Sequence, residues 1–315
     1  MDHAIRTRLE RNIFPSAHQA CVPWDTFPWH TGRGGAIDTH VPHSSQALAI
    51  DVFGTIKTSA DCDAILDALA TNLGVPAGRP WDITLEWRAR PSLLNEPRPT
   101  QVDVYAENPH SVIMFECKFT EQDGGVCSQT VRRNGATPCN GNYAQQARRV
   151  IDLTSRCALS EKDIQYWDII PKVFHLDAHI DYHPCPFAGP AYQWMRTLVV
   201  AYKVARQKNK QPAVVIVYAD CPGLPMTQKV RSKEWAQFAR TVKQDQVPLH
   251  VRSYQEILML AQETIRHGSG EQTVWKELEE WVNKKISALN GDRKGGSKSK
   301  RRRPSRSNTM AAHKG

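Results

Sequence analysis

The chain has 315 residues, of which 40% are hydrophobic and 23% are charged, as in an ordinary soluble globular protein that is long enough for a core. No run of about 18 apolar residues predicts a membrane span, and the charged N-terminus lacks the apolar stretch of a signal peptide, so we expect a cytoplasmic protein. The net charge is +9, but residues 291–315 supply +8 of it and the other 290 residues only +1, so the basic character belongs to a tail.

The first 90 residues are predicted to form helices, an irregular stretch and one strand. Apolar residues recur at helical spacing in three segments, and Trp81–Ala89 alternates apolar and polar residues as a half-buried strand does. Prolines and glycines crowd residues 13–45, which favours irregular structure there. The predicted helices are 1–12, 44–54 and 59–74.

Two apolar-rich runs in the middle of the chain have the pattern of a β-hairpin. Thr100–Ala106 and Val112–Phe119 are rich in β-branched and aromatic residues, and a polar turn with a proline separates them. Period-two alternation places Asp103 on one face of the first strand, and Glu116 and Lys118 together on one face of the second. Because the second strand is almost wholly apolar, we expect it to be buried, where a charged cluster is costly unless it binds something.

These side chains have the chemistry of a metal-dependent site that acts on phosphate. Asp103 and Glu116 can converge on one hard divalent cation through carboxylate oxygens, which leaves positions for water and a phosphate oxygen. Lys118 projects from the face of Glu116 and can hold an attacking water or offset the charge that builds on the phosphate. The peptide carbonyl of Cys117 is a further ligand candidate. The alternative is an ordinary hairpin with an outward Glu–Lys pair.

Asp103, followed by Glu116-Cys117-Lys118, resembles the core motif of the PD-(D/E)XK nuclease superfamily, in its restriction-endonuclease-like branch. Val102 stands where the name of the motif has proline, at a position that varies in the superfamily. The resemblance implies that Asp103 and Glu116 bind Mg²⁺ or Mn²⁺ and that Lys118 is the catalytic lysine. It implies DNA as the partner, with a homodimer as one expected arrangement.

The resemblance suggests roles for three further residues. Glu86, on the predicted strand, would be an additional acidic ligand; the other interpretation is an exposed glutamate paired with Arg88 or Arg90. Gln193 and Arg196, on a predicted helix, are candidates for the polar residues that face phosphate, with ordinary helix-surface residues as the alternative.

A helix and a strand after the hairpin complete a recognisable order of elements. Pro190–Gln207 is predicted to be a helix, and the unbroken apolar run Ala213–Ala219 a buried strand. The order helix–strand–strand–strand–helix–strand is the one expected of a restriction-endonuclease-like core. The other predicted elements are the helices 142–156, 232–243, 254–266 and 271–289 and a strand at 248–253.

The segment of about residues 124–186 is predicted to be an insertion rich in cysteine and histidine. Cys127, Cys139, Cys157 and Cys185 occur there without any C-x-x-C pair. They are candidates for a second metal site holding a 4Fe–4S cluster or Zn²⁺, because some nucleases of the superfamily fasten an insertion in this way. Unconnected structural thiols are the alternative, and the ligands of such a site could equally include His175, His179 or His183.

A run of alternating polar residues follows in the same insertion. On a strand its side chains would share one face and could bind a metal, although a half-exposed polar face is the preferred interpretation. The residues are His175, Asp177, His179, Asp181 and His183.

The sequence therefore predicts an α/β fold with a restriction-endonuclease-like core (αβββαβ, a mixed sheet flanked by helices), a Cys/His-rich insertion and extra C-terminal helices. Residues 1–290 would form this domain, with its core at about 45–220, and 291–315 a disordered basic tail whose Arg301, Arg302 and Arg303 attract phosphates. The predicted function is Mg²⁺-dependent hydrolysis of phosphodiester bonds in DNA. The rivals are a non-cleaving nucleic-acid-binding module of the same fold and a metal hydrolase centred on residues 175–183.

Overall fold

The protein is built on a five-stranded mixed sheet with the strand order β1-β2-β3-β4-β5. The structure is a computed structural model that describes residues 1–32, 34–130, 139, 157–175, 185, 187–265 and 271–295. β1, β2 and β3 are antiparallel neighbours, whereas β4 lies parallel to β3 and β5 parallel to β4. The strands are β1 (Asp82–Arg88), β2 (Gln101–Glu107), β3 (Ser111–Lys118), β4 (Gln211–Tyr218) and β5 (Leu249–Ser253).

Helices cover both faces of this sheet. No helix in the described part of the chain has the length and apolar content needed to cross a bilayer. A π-helical segment, Ile50–Gly54, joins α2 to α3, so that the three form one continuous helix. The helices are α1 (His3–Asn12), α2 (Ser45–Ala49), α3 (Thr55–Thr58), α4 (Cys62–Asn72), α5 (Tyr166–Val173), α6 (Tyr192–Lys208), α7 (Pro225–Lys229), α8 (Lys233–Thr241), α9 (Tyr254–Thr264) and α10 (Glu271–Gly295).

The predicted helices and strands within the described ranges are confirmed, with shifts at their ends. The helix predicted at 59–74 begins at Cys62, because Ser59 ends α3 as its C-cap, with its N–H bonded to carbonyls of that helix. α10 runs on to Gly295, past residue 290, where the basic tail was predicted to begin. The sheet continues beyond the predicted αβββαβ core, since β5 pairs with β4. The helix predicted at 142–156 lies outside the described residues.

Two hydrophobic clusters hold the sheet from its two sides. Every residue of β3 is buried, and successive side chains of a strand point to opposite faces. Phe115 packs against Phe53 of the π-helical segment in one cluster, whereas Met114 lies in the other cluster with Trp194 of α6. A strand buried on both faces is the arrangement that its unbroken apolar run predicts. The polar end of β3 therefore lies in the sheet against α6.

A buried ion pair joins the N-terminal part of the chain to the last helix. The fully buried Asp51 accepts hydrogen bonds from the Phe14 N–H at 2.7 Å and from Lys285 Nζ at 2.6 Å. Trp281 of α10 donates to the same carboxylate at 3.2 Å. These contacts satisfy a charge that would be costly to bury alone, so residues far apart in sequence hold one another in place.

Candidate active site

Three acidic residues form a row across the first three strands. The β1–β2 ladder keeps one register on both sides of Glu86, which places Glu86 opposite Asp103. The β2–β3 ladder pairs Val104 with Phe115, so the next residues outward, Asp103 and Glu116, also stand opposite each other. Like charges in cross-strand neighbours destabilise a sheet. A row of carboxylates is therefore a position where a cation would be strongly favoured.

Lys118 completes this cluster from the end of β3. Its Nζ donates to Glu116 Oε1 at 2.8 Å and to Gln193 Oε1 at 2.8 Å, and Thr197 Oγ1 donates to Glu116 Oε2 at 3.2 Å. Gln193 and Thr197 are four residues apart on α6, which puts them on the same side of that helix. Glu116 and Lys118 are 6% and 4% exposed. The lysine and glutamate are thus held firmly in a mostly dry environment between strand and helix.

Asp103 is held through the backbone of the neighbouring strand. The Cys117 N–H donates to Asp103 Oδ2 at 2.6 Å, which fixes the carboxylate against β3. This contact orients the carboxylate, of which one oxygen lies within 4.8 Å of a carboxylate oxygen of Glu86.

Glu86 reaches the site through an unusual backbone conformation. Its φ is +54°, in the left-handed region that residues other than glycine rarely adopt. Its carboxylate accepts a hydrogen bond from Gln101 and lies 3.2 Å from His30 Nε2. Glu86 is 5% exposed, so it is a buried member of the site and not the exposed partner of Arg88 that the second interpretation of the sequence required.

His30 is a member of the site that the sequence did not predict. One ligand atom each of His30, Glu86 and Asp103 lies within 4.8 Å of the others, the sole group of this kind in the described part of the chain. His30 comes from the irregular segment before α2, far upstream of Asp103. No local pattern marks such a residue, because only the folding of that segment over the sheet brings it to the carboxylates.

The electrostatics of the site follow from crowding of negative charge away from water. Burial, together with the charges of Glu116 and Glu86, holds the pKa of Asp103 well above its usual range. Burial of the His30 ring works to lower its pKa, but the hydrogen bond and charge of Glu86 outweigh this and raise the pKa to about 9. Burial also opposes the charge on Lys118, yet the neighbouring carboxylates, Glu116 first, raise its pKa above the usual value. The cluster therefore draws positive charge to itself.

A cleft opens beside this cluster. Its volume is about 540 Å³, within the size range of ligand-binding clefts. His30 and Gln101, the two residues that contact Glu86, both line it, and Arg88, Ser45 and Glu121 lie on its walls. The cleft thus reaches the two partners of Glu86, whereas Glu86, Asp103 and Glu116 are not among the residues that line it.

Comparison with known proteins assigns the chain to a family. Residues 7–280 match the model of a family described as "Restriction Endonuclease associating with ARP". The chain belongs to this family. No curated protein and no solved structure matches the chain.

Membership of this family makes the chain restriction-endonuclease-like over most of its length. The α/β architecture, with a five-stranded mixed sheet flanked by helices, is compatible with such a fold. The match covers the segment with His30 as well as the strands that carry the acidic row.

Within this restriction-endonuclease-like chain, the two predicted phosphate-facing residues of α6 have different surroundings. Gln193 contacts Lys118. Arg196 donates to Glu96 Oε1 at 3.2 Å and to Thr100 Oγ1 at 2.9 Å, so its half-buried guanidinium is engaged in an ion pair with the buried Glu96. The predicted phosphate contacts of the tail, Arg301, Arg302 and Arg303, lie outside the described residues.

The alternative metal site at residues 175–183 lies mostly outside the described residues. His175 is described and exposed, while Asp177, His179, Asp181 and His183 are not described.

The four cysteines predicted to share a site line a single small cavity. Cys127, Cys139, Cys157 and Cys185 all border it, although up to 58 positions separate them in the sequence. Burial raises the pKa of the Cys185 thiol to about 12, and the nearby charges of the other three contribute to the rise. Sequence alone could nominate these residues, but only the fold brings them together.

Proposed function

We propose that the chain is a metal-dependent nuclease that hydrolyses phosphodiester bonds in DNA, with Asp103, Glu116 and Lys118 as the catalytic residues of a PD-(D/E)XK site. Family membership supports a restriction-endonuclease-like role. The observation that carries the more specific proposal is the cluster itself, in which cross-strand carboxylates stand beside a buried lysine. Such a cluster has no evident structural use, because the carboxylates repel one another.

The residues present fit a hard divalent cation. Asp103 and Glu86 offer carboxylate oxygens within one group, His30 adds an imidazole nitrogen, and Glu116 stands next in the row. Oxygen donors suit Mg²⁺ and Mn²⁺, and an imidazole is accepted better by Mn²⁺. We propose Asp103 and Glu116 as the main ligands, with Glu86, His30 and the Cys117 carbonyl completing the set.

The chain's own residues supply positioning and charge. A bound Mg²⁺ or Mn²⁺ would contribute Lewis acidity toward the scissile phosphate. Lys118, held by Glu116 and Gln193 at 2.8 Å each, would direct its remaining N–H toward an attacking water or a phosphate oxygen and so stabilise the charge that develops there. Glu116 keeps this ammonium charged. Exclusion of bulk water from the lysine strengthens each of these interactions.

The partner and location are part of the same proposal. The basic tail, with Arg301, Arg302 and Arg303, would attract DNA through sequence-independent phosphate contacts, and a homodimer would allow both strands to be cut. The family description names association with ARP, and we propose that the chain acts beside such a partner in the cytoplasm.

Cleavage of DNA by matched lysine variants tests the proposal. Supercoiled and single-stranded DNA are incubated with Mg²⁺ or Mn²⁺ and with wild type, Lys118→Ala or Lys57→Ala. Lys57 is exposed on α3, so its variant controls for the loss of one positive charge. Wild type and Lys57→Ala should nick or degrade DNA, whereas Lys118→Ala should not.

Two other outcomes would contradict the proposal in different ways. Equal cleavage by all three proteins would place the catalytic centre elsewhere, residues 175–183 being the next site to test. Tight DNA binding without cleavage, with and without the partner named by the family, would favour a non-cleaving binding module.

A further inference from the structure

The cavity lined by the four cysteines is separate from the acidic row. Most of its other walls are aromatic and aliphatic, among them Leu159, Trp167, Ile170 and Phe187, and Gln129 and Thr130 also border it. Its volume is about 30 Å³, enough for one or two waters. A water trapped in this pocket would find few polar partners besides the sulfur atoms, which are weak ones, because the Gln129 and Thr130 side chains already form hydrogen bonds with other residues.

Backbone hydrogen bonds bring the cysteine-bearing segments into one unit. The Cys127 N–H donates to the Ala188 carbonyl at 2.7 Å, and the Ala188 N–H donates to the Cys185 carbonyl at 3.0 Å. The Cys139 N–H donates to the Gln129 carbonyl at 3.0 Å. Three of the four cysteines are therefore fixed relative to one another by main-chain contacts, which is the preorganisation that a ligand set requires.

The donor chemistry and spacing restrict what this cavity can hold. Four sulfur donors select soft metals, chiefly zinc and iron–sulfur clusters. A single tetrahedral zinc at 2.3 Å would bring its sulfurs to about 3.8 Å from one another, but among these four described cysteines no three sulfurs lie within 4.8 Å of one another. An iron–sulfur cluster stands between its ligands and spaces their sulfurs more widely, so the spacing favours a cluster. The pocket of about 30 Å³ would widen to admit the iron and sulfide atoms of that cluster.

We propose that Cys127, Cys139, Cys157 and Cys185 together bind a thiolate-ligated metal centre, an iron–sulfur cluster in preference to a zinc ion. The juxtaposition of four cysteines from separate positions around one closed pocket carries this assignment. The metal would stabilise the described residues around it, which main-chain hydrogen bonds between short segments hold together.

The start of α6 connects this centre to the proposed catalytic lysine. Tyr192 lines the cysteine cavity and its N–H donates to the Gly125 carbonyl at 3.3 Å. The next residue, Gln193, donates its N–H to the Gly124 carbonyl at 2.7 Å and accepts from Lys118 through its side chain. Loss of the metal should therefore loosen the first turn of α6 and the support of Lys118. This consequence rests on the proposed nuclease function, whereas the metal site does not.

Metal content of the full chain tests the site without reference to activity. Wild type, Cys139→Ser, Cys157→Ser and Cys62→Ser are purified without oxygen, and iron, acid-labile sulfide and zinc are measured per chain together with the visible absorption spectrum. Cys62 is half-buried on α4 and does not border the cavity, so its variant is the matched control. Wild type and Cys62→Ser should carry iron and sulfide with a visible band, and the other two variants should lose most of both.

The outcomes test three points separately: whether the thiolate site exists, which metal it holds, and whether the chain is a nuclease. One zinc per chain, lost in the same two variants, would support the thiolate site and exclude the cluster. Absence of both metals from wild type, or equal metal in Cys139→Ser and Cys62→Ser, would overturn the site. Circular dichroism of Cys157→Ser reconstituted with iron and sulfide distinguishes lost ligation from misfolding: a folded chain that regains full metal content contradicts the proposal. A metal-loaded wild type that does not cut DNA would refute the nuclease and leave the metal site standing.

Discussion

Replacing Gln193 by leucine should slow cleavage without weakening the binding of DNA. The Lys118 ammonium has three N–H donors, and among the described residues Glu116 and Gln193 accept two of them. Removing one acceptor from a buried charged donor costs about 1.5–3 kcal/mol. Because about 1.36 kcal/mol is a factor of ten in rate, we expect a cleavage step that is slower by about 10- to 150-fold.

Single-turnover kinetics with enzyme in excess measure this step directly. Binding of labelled DNA, followed by fluorescence anisotropy in Ca²⁺, reports affinity separately. Gln193→Glu keeps an acceptor for the lysine and should retain more of the rate than Gln193→Leu. Gln207→Leu changes an exposed glutamine on the same helix and should behave as wild type.

Two results would refute this reasoning. An unchanged rate for Gln193→Leu would show that the contact with Lys118 does not position the lysine in the reacting complex. A weakened affinity with an unchanged rate would show that Gln193 faces phosphate, as the resemblance to the nuclease superfamily suggests, and that Gln193 leaves Lys118 to contact the DNA.

Three further predictions follow, two on ion pairs with a buried carboxylate and one on a partly exposed carboxylate. Arg196→Leu should lower the free energy of unfolding by about 1–3 kcal/mol in urea titrations, with little change in DNA affinity, because the arginine pairs with the buried Glu96. Lys285→Met should lower this free energy by about 3–5 kcal/mol, since it removes the cation that pairs with the fully buried Asp51, and adding Asp51→Asn should recover part of the loss. Partial burial works to raise the pKa of Asp67, but hydrogen bonds from three N–H groups outweigh this and lower it. The Asp67 carboxylate therefore stabilises the fold above about pH 4, its pKa in the unfolded chain, and this stabilisation is lost as the pH falls through the lower pKa of the folded protein. The urea midpoint of wild type should accordingly fall more steeply below about pH 4 than the urea midpoint of Asp67→Asn.

The parts of the site that sequence could predict are those fixed by local periodicity. Once two adjacent runs are assigned to a hairpin, alternation alone sets the faces of Asp103, Glu116 and Lys118, and the observed register agrees. The proximity of His30 follows from how an irregular segment folds over the sheet, and that has no local signal. The cysteines show the same limit, because their spacing has no repeating pattern and their convergence depends on contacts between distant loops.

The backbone of Glu86 shows why the distant residues matter to the row. A non-glycine residue in the left-handed region costs about 1–3 kcal/mol and persists only where its surroundings hold it. Here a φ of +54° in β1 turns the carboxylate to Gln101 of β2 and to His30, and the contacts with both offset that cost. Without the segment that carries His30, the carboxylate would lose one of its two partners while the repulsion from Asp103 stayed. The hairpin can therefore specify where the acidic row lies, but the segment before α2 decides whether its third member stays in place.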